Sequence, residues 1–235
     1  MIPIDFAPAC PFEPLQTVYK SPLNTHTDPV LTAPDNGMLP MTRQHPYEAQ
    51  LDALETVLCA DTLGKMLGTG PVRSAADVGQ LLGRYQTQML EPVELVMIAK
   101  AQKLATQGRA KELIELDQQF GGDHPEWLHL TPASTRVGRD YLKRLRPLQD
   151  ERTVQRLINA VKADRTPGHH LTVFGLTMAV FSIAQRQGLA EYAQFALEAV
   201  VATAAGKLKL TQSDRNLLLA RPQAQLTGMV DRRVA

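Results

Sequence analysis

The 235-residue chain is poor in the residues from which several protein classes are built. It has two cysteines, Cys10 and Cys59, too few for a disulfide framework or for a cysteine-based zinc or iron–sulfur centre held by one chain. Aromatic residues make up 5% and there is one Trp, so a core has to be assembled from Leu, Ala, Val, Ile and Met, which pack most naturally between helices. No run of β-branched residues alternates with period two, which disfavours an all-β sandwich. No apolar stretch reaches the 18 or more uninterrupted residues of a membrane span. The start lacks the basic and apolar regions of a signal peptide, and a cytoplasmic location is expected. Net charge is low, at +1, so a chain-wide basic footprint for nucleic acid is missing. Nucleophile elbow, P-loop, dinucleotide-binding and zincin motifs are all absent, which leaves an enzyme reading few residues to rest on.

What the chain does have is unevenly distributed. Charge runs at −2 over residues 1–46, −5 over 47–135, +5 over 136–165 and +3 over 166–235. Nine of the sixteen prolines fall within the first 46 residues, where missing donors and fixed φ exclude helix and central strand. That segment reads as an extended Pro-rich arm. Residues 47–222 read as one all-α domain, a bundle of about eight to ten helices, and 223–235 as a C-terminal tail.

Within 47–222 the apolar spacing predicts a helix over 47–67, a second starting at Ser74 with Asp77 as its capping-box partner, and a third with Pro92 in its first turn. A short helix, 110–120, is expected to stop at Gly121-Gly122. Thr131-Pro132 reads as N-cap and N1 of a helix burying Val137, Tyr141 and Leu145, with a basic stripe of Arg136, Arg139, Lys143 and Arg146 and with Asp140 pairing Arg136 and Arg144. Residues 171–184 and 189–206 are apolar nearly all round and read as a buried central hairpin; a last helix from Asp214 is expected to stop at Pro222. Of six scattered histidines, His169-His170 is the pair to test. Adjacent helical residues diverge by about 100°, so helix-terminal hydrogen bonding is expected there ahead of metal ligation. His124 and His129, flanking Glu126 and Trp127, read as polar loop residues.

The order of the segments PASTRVGRDYLKRL, GHHLTVFG and GLAEYAQFALEAVVATAAGKLKLTQSDRNLLL resembles the urease accessory protein F (UreF-like) family over roughly residues 68–220. The matching positions are Ser134, Gly138, Arg139 and Leu142, then His169 or His170, Phe174 and Gly175, then Tyr192, then Leu210, Gln212, Asp214 and Asn216. The resemblance implies an all-α, non-catalytic chaperone without cofactor or bound metal, usually a cytoplasmic homodimer. Such a protein binds a D- or H-type accessory protein, recruits a G-type nickel-carrying GTPase and serves nickel insertion into apo-urease, with no nucleic acid or membrane partner. On this reading Arg136, Arg139 and Lys143 and the block Leu210, Gln212, Asp214, Arg215 and Asn216 are the partner-binding residues. The alternative is a small helical enzyme or ligand-binding module with a pocket near His169, His170 and Tyr192.

Overall fold

The computed structural model describes residues 46–234; the expected arm lies outside them except for Pro46, which opens α1. Among the described residues the chain is all-α. In order come α1 (Pro46–Asp52), α2 (Leu54–Val57), α3 (Ala60–Met66), α4 (Ala75–Tyr85), a π-helical segment (Gln86–Glu94), α5 (Leu95–Thr106), α6 (Ala110–Asp123), a 3-10 turn (Pro125–His129), α7 (Thr131–Leu145), α8 (Arg152–Lys162), α9 (His170–Val180), α10 (Gln185–Leu208) and α11 (Gln212–Val234). One hydrophobic core runs through them, dominated by Leu, Val and Ala as the composition requires.

Several boundaries are decided by partners far away in sequence. The single helix expected over 47–67 is three short ones, and the break between α2 and α3 is satisfied by Thr203 of α10: its hydroxyl donates to the Leu58 carbonyl at 3.2 Å and accepts from the Ala60 N–H at 3.1 Å. The capping box forms as expected, the Asp77 N–H donating to Ser74 Oγ at 3.2 Å and the Ser74 N–H to Asp77 Oδ2 at 2.9 Å. The Arg73 N–H, which donates to Asp77 Oδ2 at 2.9 Å, and then the bonds from Ser74 hold the Asp77 carboxyl below its ordinary value.

Pro92 does not start a helix. It sits inside the π segment that joins α4 to α5 without a break, and there the Leu95 N–H reaches back to the Leu90 carbonyl. A proline in an α-helix collides with the carbonyl four residues back and donates no bond; the wider π turn relieves both demands. α6 passes its two glycines and ends at Asp123, with the His124 N–H donating to the Phe120 carbonyl at 2.9 Å. Thr131 is the first helical residue of α7, not its cap, because the 3-10 turn runs straight into the helix and the Thr131 hydroxyl donates to the Trp127 carbonyl at 3.1 Å.

The expected hairpin is replaced by a different layering. α9 is sandwiched mainly between α5 and α7, while α10 packs chiefly on α11. Gly175 makes the α9–α5 contact possible: a Cβ there would lie 2.7 Å from the Ile98 carbonyl oxygen and from the Ala101 side chain. Gly138 does the same for α7, where a Cβ would lie 2.1 Å from the Gly168 oxygen. α11 continues through Pro222 instead of stopping. Gln86 donates to the Pro222 carbonyl at 3.0 Å, Leu226, Met229 and Val230 are buried, and Arg232 donates to Glu91 at 2.8 Å.

Candidate functional site: a buried polar chain and two exposed faces

Where α6, α7 and α9 meet, Asp117 lies fully buried on the inner face of α6. Its Oδ1 accepts from the His169 N–H at 2.9 Å and the Thr172 hydroxyl at 2.6 Å; its Oδ2 accepts from the Gly168 N–H at 2.6 Å and the Thr166 hydroxyl at 2.5 Å. The carboxylate thus caps α9 from another helix, meeting the free N–H groups and the positive end of the helix dipole.

One step further in, Ser134 Oγ of α7 lies 2.8 Å from His170 Nδ1 and 3.2 Å from His169 Nδ1. His170 Nε2 is 3.1 Å from the Tyr192 hydroxyl of α10. Tyr192 donates to Glu94 Oε2 at 2.9 Å, and Tyr85 of α4 donates to the same oxygen at 2.8 Å. Tyr85, Glu94, Ser134 and Tyr192 are fully buried, His169 and His170 nearly so.

The energetics follow from that burial. Glu94 has no cation among its hydrogen-bond partners, and loss of water pushes its carboxyl up to about 7, opposed by the two tyrosine hydroxyls. His170 is pushed down to about 3, first by burial and then by His169. His169 is lowered by burial, with Asp117 pulling the other way. Burial, then the Glu94 charge, raises both tyrosines. Glu94 Oε1 and the Trp127 indole nitrogen are buried without a partner.

The structure therefore brings Ser134, His169, His170 and Tyr192 together as hydrogen-bonding groups. Phe174 is packing: its ring stacks on Tyr47 at 5.2 Å and tilts against Tyr192 at 5.2 Å. Beside His170 and Tyr192 the space lined by Gln50, Val137 and Tyr141 is ≈10 Å³, about the room one water needs. Asp117, Glu94 and Tyr85 are the members that sequence reasoning missed. For Glu94 the available signal was a single acid inside an otherwise apolar run, PVELVMIA.

The surface residues lie apart from this chain. Arg136, Arg139 and Lys143 are exposed on α7. Asp140 pairs with Lys143 at 2.7 Å, not with Arg136 or Arg144. Arg144 instead covers the Tyr141 ring at 4.8 Å. Arg139 donates to the Pro167 carbonyl at 2.9 Å and lies 3.7 Å from Asp164. In the second exposed face, Asp214 caps the start of α11, accepting from the Thr211 N–H at 2.9 Å and its hydroxyl at 2.7 Å. Gln212 donates to Asn216 at 3.0 Å, and Leu210 and Arg215 are half-buried. In the 3-10 turn, His124 Nδ1 lies 3.0 Å from Glu126 while Trp127 is buried.

Among the described residues no helix is long and apolar enough to cross a membrane. No curated protein matches the chain significantly. The family model described as UreF matches residues 72–223. That match takes in the buried chain from Tyr85 to Tyr192, the α7 stripe and the start of α11, and it covers more than half of the sequence: the chain belongs to the UreF family, which implies a urease accessory role.

Proposed function

We propose that this protein is a non-catalytic scaffold for urease metallocentre assembly, acting in the cytoplasm as a homodimer that binds a D- or H-type accessory protein and recruits a nickel-carrying GTPase to apo-urease. The observation supporting this reading is the division between interior and surface. The polar groups best suited to chemistry are bonded to one another inside the protein, whereas the unpaired charge is outside. Arg136, Arg146, Arg152 and Arg156 are exposed and form no ion pair among the described residues. An exposed basic surface selects and steers an acidic protein partner more than it adds affinity. Arg136, Arg139 and Lys143 are its centre in this reading. Leu210, Gln212, Asp214, Arg215 and Asn216 form the second contact, next to Leu217, which is 73% exposed.

The test is co-expression of the full chain with a D- or H-type protein and a nickel GTPase, followed by affinity purification and nickel-dependent urease activation. A stable complex that is weakened when Arg136 and Arg139 are both changed to Glu supports the reading. Failure to form any complex, or unchanged binding by that variant, removes the scaffold role or the α7 contact respectively.

A further inference from the structure

The chain from Ser134 to Glu94 has one feature that packing does not require: its hydrogen bonds can all point either way. Glu94 is fully buried, and its Oε1 has no partner. We propose that Glu94 is a single-proton switch whose charge sets the polarity of the hydrogen-bond chain through Tyr192, His170 and Ser134.

With Glu94 ionised, Tyr192 donates to Oε2, so the Tyr192 oxygen accepts from His170 Nε2–H. His170 is then the Nε2–H tautomer, and its bare Nδ1 accepts from the Ser134 hydroxyl at 2.8 Å. Proton uptake reverses every bond. In the protonated state Glu94 Oε2 donates to Tyr192, Tyr192 donates to His170 Nε2, and the His170 proton has moved to Nδ1. One solvent proton enters, one carboxylate is neutralised, and no other group changes charge. His170 ends as the Nδ1–H tautomer donating to Ser134. The Ser134 hydroxyl then has a second acceptor ready, His169 Nδ1 at 3.2 Å. The two adjacent histidines thus give Ser134 an acceptor in each state.

The surroundings direct the proton to Oε2. On Oε1 it would be a buried donor without an acceptor, which is unfavourable. From α4 the group facing Glu94 is Tyr85, and from α10 it is Tyr192. On α4, Arg84 is committed to the Leu67 carbonyl; on α5, Lys100 and Lys103 are exposed. On α10, Glu191 is bonded to Tyr47 and Glu198 to Gln194; on α11, Arg232 and Arg233 are held by Glu91. No fixed cation therefore pins Glu94 in its ionised form, and burial places its titration at about 7.

The experiment is long-range proton–nitrogen NMR of the full chain labelled with 15N-histidine, from pH 5.5 to 8.5. The expected result is a change of His170 from Nε2–H at high pH to Nδ1–H at low pH, with a midpoint near neutrality and no doubly protonated form. In Glu94→Gln the tautomer is expected to be independent of pH. In Tyr192→Phe, which cuts the chain and removes one of the two donors to Glu94 while keeping its carboxyl, it is expected to be independent of pH while helical circular dichroism is retained. One tautomer throughout in the unmodified protein, an imidazolium at low pH, or the same transition in either variant would overturn the proposal. If Glu94→Gln does not fold, Tyr192→Phe alone decides.

Discussion

Two carboxylates, Asp117 and Glu94, are both fully buried, yet they are solved by the fold in opposite ways. Asp117 receives four donors spread over both oxygens, two of them backbone N–H groups at the start of α9. Glu94 receives two donors on one oxygen and none on the other. Burial of a charge is tolerated when its hydrogen-bonding capacity is filled, and it turns into a proton affinity when it is not. Asp117 is therefore a structural cap made from outside the helix it caps, and Glu94 is a titratable group held in reserve.

The sharpest way to break the comparison is at Asp117. Asp117→Ala takes the carboxylate acceptor from four buried donors at once, of which only Thr166 has another within reach, and is expected to destabilise by roughly 3–5 kcal/mol, read as a fall in urea midpoint or loss of soluble protein. Next in size are the close approaches that bring α9 to its partners. Gly175→Ala forces a Cβ to within 2.7 Å of the Ile98 carbonyl oxygen and should cost about 1–3 kcal/mol in the same assay, whereas Gly122→Ala, with open space around it, should be neutral or stabilising.

Glu94 itself is tested by pH. Its folded value, about 7, lies above the ordinary 4.5, so its contribution is fully present below 4.5 and is lost as pH rises through 7. The loss amounts to about 3 kcal/mol by the usual conversion of a pKa difference into free energy. His170 runs the other way: with a folded value of about 3 against 6.5, its contribution is present above 6.5 and lost as pH falls toward 3. Between 4.5 and 6.5 the two slopes oppose each other. Glu94→Gln should remove one of them, so that the variant gains on the unmodified protein by up to about 3 kcal/mol between pH 4.5 and 8 in denaturant titrations at a series of pH values. A constant difference across that range would show that Glu94 is ionised throughout. The smallest stability effect belongs to the surface. Arg136→Ala should stay within about 0.5 kcal/mol of the unmodified protein while weakening partner capture, the reverse of what any change to the buried chain does.

Much of this was readable from local pattern. The all-α class, the Ser74–Asp77 capping box, the body of α7 and its basic stripe all follow from spacing within a few residues. The family motif positions were readable as a motif, but their reasons were not. Gly138 and Gly175 are close approaches, Phe174 is a packing ring, and Ser134, His169, His170 and Tyr192 are links in one chain. The helix boundaries that differ share a cause: a local start, stop or continuation signal is overruled by the backbone geometry and partners around it. Pro92 is absorbed by a π turn, Pro222 by Gln86 and by the anchoring of the last turns of α11, and the 47–67 helix is cut where Thr203 can satisfy the break.

By itself, then, the sequence determined which segments are helical and which of their faces are apolar, because propensity, capping and 3.6-residue periodicity act over one or two turns. Only the tertiary structure decided which helices touch, that Asp117 would cap α9, and that Glu94, 98 residues away in sequence from its partner Tyr192, would sit among hydroxyls with no cation beside it. A buried carboxylate takes its character from what surrounds it in space, and the residues next to it in the chain do not carry that information.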